Sequence, residues 1–341
     1  MLWLSFRQFR TQALVAGAAL GSLAVVVAVV GSQALSDYHA AASSGTTTSF
    51  IAHYQQMGDW LSALVLVVPG LIGIFWGAPL VARELESGTC HLAWTQSISR
   101  ARWMLSKLTL LGLAALAVAG VCSLLVTWWS SPLDLATGAG PFANFDVRGI
   151  APIGYAAFAF ALGVAAGAIL RRTVAAMGAT LVAFVGVRLA FIQGARPHLM
   201  APLVIRRPFS IDTPGRVGIG SHLPQGAWVV SQSVLDAAGR KVSGGSGGGL
   251  LSIPAVNVGP NGVSVPGIGT CANVRPTAAQ LAHPETSGFS ARCFNELHLT
   301  TLTTYQPPSR YWPFQIYETL IFLAAAAAIG GFTVWWVRRI G

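Results

Sequence analysis

A P-loop that cradles phosphates needs the spacing G-x-x-x-x-G-K-[ST], because glycine backbone N–H groups and one lysine do the binding. The chain has only Lys107 and Lys241, preceded by Ser106 and Arg240, so it carries no Walker A motif. The seven histidines, His39, His53, His91, His198, His222, His283 and His298, contain no i, i+4 pair and no H-E-x-x-H, so no metal is expected. Gly244, Ser246 and Gly248 match the G-x-S-x-G nucleophile spacing. That elbow requires a strand before it and a helix after it, and VSGGSGGG reads instead as a flexible loop. The cysteines lack zinc-ligand spacing. Cys271 and Cys293 share one long polar segment and form the pair expected to be oxidised. Ion-driven carriage calls for carboxylates inside membrane spans. Asp59 and Glu318 fall near the far ends of apolar runs and Glu84 near an inner end, with helix capping or loop pairing as the plain reading and gating or an interface as the sharper one. No acid, base and nucleophile set emerges, so the chain is expected not to be an enzyme and to hold no cofactor of its own.

The elements that position these residues are apolar. Of 341 residues 53% are hydrophobic and 9% charged, and a mean hydropathy of +0.60 is unlike that of water-soluble domains. Six runs are long enough to cross a hydrocarbon core, which takes about 20 residues: Ala13 to Val30, Leu61 to Val81, Leu108 to Trp129, Ile150 to Leu170, Val174 to Ile192 with Arg188 towards one end, and Gln315 to Val337. A signal peptide is the lesser alternative for the first, whose apolar stretch exceeds a typical signal core. Ahead of it, Trp3, Phe6, Arg7 and Arg10 recur at helical spacing, as in a short helix lying among lipid headgroups.

The net charge of +10 sits largely beside the apolar runs, which argues for loop anchoring rather than nucleic-acid binding. Arg7 and Arg10, the group Arg83, Arg100, Arg102 and Lys107, the pair Arg171 and Arg172, and the pair Arg338 and Arg339 all fall on one side by the positive-inside rule. Both termini are then cytoplasmic. Gly194 to Pro313, rich in Gly, Pro and Ser with short runs such as AWVVSQSVL and IPAVNVG, becomes an extracytoplasmic region of strands and loops. The expected fold is an all-α polytopic membrane protein with three parts: residues 1–193 with five spans, 194–313 outside, and 314–341 with the sixth span and a basic tail.

Between the second and third spans, Gly88 can end one helix and Thr89 cap another, bending the chain into an elbow along the membrane surface. Arg100 and Arg102 then lie at a helix N-terminus, where the dipole disfavours cations. Lipid phosphates or a docked acidic partner would compensate.

GAPLVARELESGTCHLAWTQSISRARWMLSKL resembles the loop of type-2 ATP-binding-cassette permeases, in which an acidic helix end, a Gly-Thr pair, a Thr-Gln and a Ser-Arg lead to a Lys at the next span. YQPPSRYWPFQIYETLIF and VWWVRRI are similar to the last span and basic tail of actinobacterial permeases of that group. The resemblance implies a coupling elbow seated in a groove of a separate ATPase, with Glu84, Glu86, Gly88, Thr89 and Arg100 as its contacts, and with ATP and Mg held by that partner. It also implies export from a bacterial plasma membrane by a homodimer or a pseudo-dimer with a related permease. The uncharged spans favour an apolar or amphipathic cargo, such as a lipid, drug-like compound or hydrophobic peptide. The competing reading is a membrane-anchored sensor or assembly factor whose external domain binds a ligand.

Overall fold

A computed structural model describes residues 2–86, 100–208, 223–246, 257–259, 262–265, 269–271 and 296–339. The chain divides into two compact units, Met1–Leu199 with Tyr311–Gly341, and Met200–Arg310. Among the described residues, six helices are long and apolar enough to cross a membrane.

The first helix, Leu2–Ser44, is unbroken over 43 residues. At 1.5 Å per residue it is about 65 Å long, twice the hydrocarbon thickness. The basic N-terminal segment is therefore one continuous helix with the first span. The second helix starts at Thr47, after Gly45 makes the turn with φ +73°. Most of residues 32–60, which separate the first two apolar runs of the sequence, is thus helical. No proline or glycine interrupts residues 32–44, and Ala34 and Ala41 bury against Phe50, Tyr54 and Trp129. The Tyr54 hydroxyl donates to Asp37 Oδ2 at 2.6 Å, tying the hairpin together.

The second span runs Thr47–Ile72, widens into a π-turn at Gly73–Gly77 and continues as Ala78–Glu86. Pro69 lies one turn before the π-turn and supplies no backbone donor. The third helix is Arg100–Trp129. A short helix, Ser131–Thr137, and a 3₁₀ segment, Pro141–Val147, lead to the fourth, Ala151–Leu170. The fifth, Thr173–Ala190, is prolonged by a π-turn, Phe191–Ala195, and a 3₁₀ turn, Arg196–His198. The sixth is Tyr311–Arg339.

The fourth helix is central and mostly buried. It crosses the second at two G-x-x-x-G pairs, Gly73 with Gly77 and Gly163 with Gly167. A Cβ at Gly163 would lie 2.2 Å from Gly73 O, and one at Gly167 would lie 2.5 Å from Ala78 O. Lipid gives helices no hydrophobic drive to associate, so close backbone approach at small residues has to supply the contact.

Residues 200–310 carry the strands. β1 (Leu203–Pro208), β7 (Thr300–Gln306), β2 (Trp228–Leu235) and β3 (Lys241–Ser246) form an antiparallel sheet in the order β1-β7-β2-β3. A second antiparallel sheet has the order β4-β5-β6, from Asn257–Gly259, Gly262–Val265 and Gly269–Cys271. The start of VSGGSGGG is therefore strand rather than loop, because pairing of Ser231 with Ser246 and Ser233 with Gly244 satisfies its backbone along the edge of β2. Cys271 is buried and disulfide-bonded, while Cys293 lies outside the described residues. The β2–β3 connection closes on Asp236, which accepts from the Arg240 backbone N–H at 2.8 Å and from Arg240 Nε at 2.8 Å. Those contacts, the backbone one foremost, hold the Asp236 carboxyl below the ordinary carboxylate range.

Candidate functional site: a buried ionic clasp and the ends of the elbow

Four charges from three spans meet in the helical unit. Glu318, on the second turn of the sixth helix, is 0% exposed, and Arg188 and Arg196 are 6% exposed. Arg196 grips Glu318 with two parallel bonds, Nε to Oε2 at 2.9 Å and Nη2 to Oε1 at 2.7 Å. Arg188 Nη1 reaches Glu318 Oε1 at 3.1 Å, and its Nη2 reaches Asp146 Oδ1 at 2.6 Å. Arg196 Nη1 also binds Asp146 Oδ2 at 3.2 Å, and its Nη2 pairs with Oδ1. The Tyr155 hydroxyl donates to Glu318 Oε1 at 2.6 Å, and its ring lies 3.5 Å beneath the Arg188 guanidinium.

The two carboxylates and two guanidinium groups balance. Buried charges are tolerated only when paired and hydrogen-bonded, and forked arginine–carboxylate contacts are the strong form of that pairing. Chain geometry brings the partners together. The 3₁₀ segment before the fourth span carries Asp146, the fourth span's first turns carry Tyr155, one end of the fifth span carries Arg188, and the 3₁₀ turn at the end of its extension carries Arg196. Asp146 is the outlet, with 28% of its side chain exposed.

Next to the clasp, Gln315 caps the fourth helix. Its Oε1 accepts from the Ile150 and Ala151 N–H groups at 3.0 and 2.7 Å, and its Nε2 donates to Phe145 O at 3.1 Å. Gly149, at φ +71°, makes this possible, since a Cβ there would lie 2.7 Å from Gln315 Oε1. Ser123 of the third span donates to Gly149 O at 2.7 Å, adding a further tie.

At the other end of the spans, where the second leads to the third, Glu84 forms an ion pair with Lys107, which is 4% exposed. Glu86 accepts from the Thr173 hydroxyl at 2.8 Å and the Thr173 N–H at 3.2 Å, capping the fifth helix. Both acidic residues at this end of the second span are thus engaged within the chain, one with the third span and one with the fifth. Gly88 and Thr89 lie outside the described residues, and Arg100 opens the third helix. Asp59 is exposed on the second helix and takes no part in the clasp. Glu318, placed by sequence near an interfacial end, is instead fully enclosed, because three cationic or hydroxyl groups converge on it. Sequence reasoning named Arg188 without a partner and did not single out Asp146, Tyr155 or Arg196. The available signal was one arginine and one glutamate in two otherwise uncharged runs.

Six apolar helices, a glycine crossing and a neutral buried charge cluster define a multi-pass membrane protein. Residues 17–196 match the family described as ABC-2 membrane transporter related. That is more than half of the chain, which therefore belongs to this family and is a membrane component of transport rather than a catalytic subunit. No curated protein and no solved structure matches the chain.

Proposed function

We propose that the chain is the permease subunit of an ATP-driven exporter in a bacterial plasma membrane, working with a separate ATPase that binds ATP and Mg. The observation that carries this reading is the family match across residues 17–196, which takes in the elbow between the second and third spans. The elbow leaves from Glu84 and Glu86, whose carboxylates reach Lys107 and Thr173. A push on the elbow from below is therefore transmitted to the third and fifth spans together. In this reading both termini are cytoplasmic, residues 200–310 lie outside, and two permease copies form the path. Gly88, Thr89 and Arg100 are the contacts that face the ATPase, with Glu84 and Glu86 setting the elbow's stance. The clasp, at the far end of the fourth, fifth and sixth spans, is the joint that yields when the path opens outward. Its neutrality suits a mechanical joint better than an ion relay, and cargo crossing such spans is apolar or amphipathic.

The test is recovery of the tagged full chain from its native membrane in mild detergent. A P-loop ATPase is expected at equal stoichiometry, with its recovery reduced by Thr89→Arg while the permease remains monodisperse. Repeated recovery of intact permease with no ATPase would sink this reading and favour a membrane-anchored sensor.

A further inference from the structure

An open groove of about 540 Å³ runs between the third, fourth and sixth spans, in the half nearest the elbow. Its size falls within the ~300–1,000 Å³ in which proteins hold small ligands. Leu105 and Leu116 lie at its two ends on the third span, Ala326 and Arg338 on the sixth, and Phe160 of the fourth lies between. At 1.5 Å per residue both stretches are about 17 Å long. That is close to one leaflet, half of the ~30 Å hydrocarbon core.

Two observations say the space is kept open for something. Gly330 and Gly331 line it, and a Cβ at either position meets nothing within 4 Å, whereas Gly163 and Gly167 have backbone where a Cβ would be. Glycine weakens a helix interior, and at Gly330 and Gly331 no close helix contact offsets that. The walls are almost wholly apolar, but the groove ends on one cation, the exposed Arg338. Beside it the Arg339 guanidinium lies 4.2 Å over the ring of Trp335, another lining residue. Tryptophan and arginine together mark headgroup depth.

We infer that this groove is a resident-lipid site that takes one acyl chain of an anionic glycerophospholipid, with the headgroup phosphate on Arg338. The length matches one leaflet, the wall is hydrocarbon-like, and the charge is at the headgroup end. An acyl chain gains little by leaving bulk lipid for an apolar wall, since both surroundings are equally apolar. The arginine therefore sets the preference, for anionic over zwitterionic headgroups. A second copy of the chain fits less well, because a twofold axis along the spans would bring two sets of the same arginines to one level. The inference goes beyond the exporter reading and does not depend on which cargo is moved.

The experiment uses the delipidated full chain in detergent, titrated with phosphatidylglycerol or phosphatidylcholine and read by native mass spectrometry. Wild type is expected to retain one phosphatidylglycerol in preference to phosphatidylcholine. Arg338→Gln should reduce that preference roughly fivefold, the effect of one basic group near an anionic surface. Gly330→Leu combined with Gly331→Leu, whose Cβ atoms meet nothing within 4 Å and whose side chains would occupy the groove, should abolish retention of both lipids. A phosphatidylglycerol with a photoreactive acyl chain, applied to the unaltered protein, should crosslink within residues 105–116 and 326–335. Equal retention by all three proteins, or crosslinks confined elsewhere, would overturn the proposal. Loss of dimer with unchanged lipid retention in the glycine variant would assign the groove to a second copy instead.

Discussion

The fourth span is held by different physics at two places along its length. Near its middle and towards the elbow, Gly163 and Gly167 let the second span approach until backbone meets backbone. At its start, the clasp joins it to the fifth and sixth spans through Asp146, Tyr155, Arg188, Arg196 and Glu318. The crossing depends on shape alone, with no charge to rearrange and no room for a side chain. The clasp depends on directional bonds that can be exchanged for water once Asp146, already partly exposed, opens further. In the exporter reading the crossing would serve as the fulcrum and the clasp as the joint that releases, at different depths of one helix.

The largest expected effect comes from leaving the clasp unbalanced. Glu318→Ala buries two arginines against one carboxylate, a change of about 3–5 kcal/mol for a broken buried pair. Thermal melting in detergent should fall by roughly 10 °C on that basis. Glu318→Gln with Arg188→Met should lose less than the sum of the two single variants, since the pair acts as a unit. Additive losses would separate the clasp into independent contacts. Next comes the crossing. Gly163→Ala places a Cβ 2.2 Å from Gly73 O and should cost at least the ~1–3 kcal/mol of ordinary overpacking. Gly178→Ala, with nothing within 4 Å, is the matched control and should be neutral or slightly stabilising. Equal melting of the two glycine variants would contradict the fulcrum.

The smallest effect lies outside the spans. The Asp236 carboxyl is held below its ordinary value, so its contribution is complete at neutral pH and is lost as pH falls through the lowered value. Its partner Arg240 is exposed, so the ion pair is screened, and Asp236→Asn should change melting at pH 7 only slightly. Carbon-13 labelling of aspartate in the intact chain, with Asp236→Asn to assign the signal, should show that carboxyl titrating below the usual aspartate range near about 3.9.

The same contrast explains what could be read from the sequence. The apolar runs are legible because a span is a local property of about 20 residues. Gly163 and Gly167 are two of several glycines within the apolar runs, and the face they present and their partner depend on packing that no local pattern encodes. The clasp was harder. Asp146 lies between the third and fourth apolar runs, Arg196 in a segment assigned to the external region, and Glu318 is 122 residues beyond Arg196. Residues 32–60 misled in another way. Their polar composition signals a loop, yet Phe50 and Tyr54 pack against the first helix and both arms of the hairpin are helical beyond the expected spans. At the elbow, Glu84 and Glu86 were noticed for their charge and position, while Lys107 and Thr173, which engage them, became apparent only in three dimensions.

During transport the clasp is expected to yield while the crossing stays fixed. The most direct measurement is pulsed electron–electron distance spectroscopy on the full complex in nanodiscs, with and without ATP and vanadate. One label pair would span the fifth and sixth helices beside Leu189 and Ile316, and another the second and fourth beside Phe75 and Ile169, positions exposed on the helices concerned. Nucleotide is expected to broaden or lengthen the first distance and to leave the second unchanged. A shift confined to the second pair, or none in either with an ATPase bound and active, would contradict that expectation.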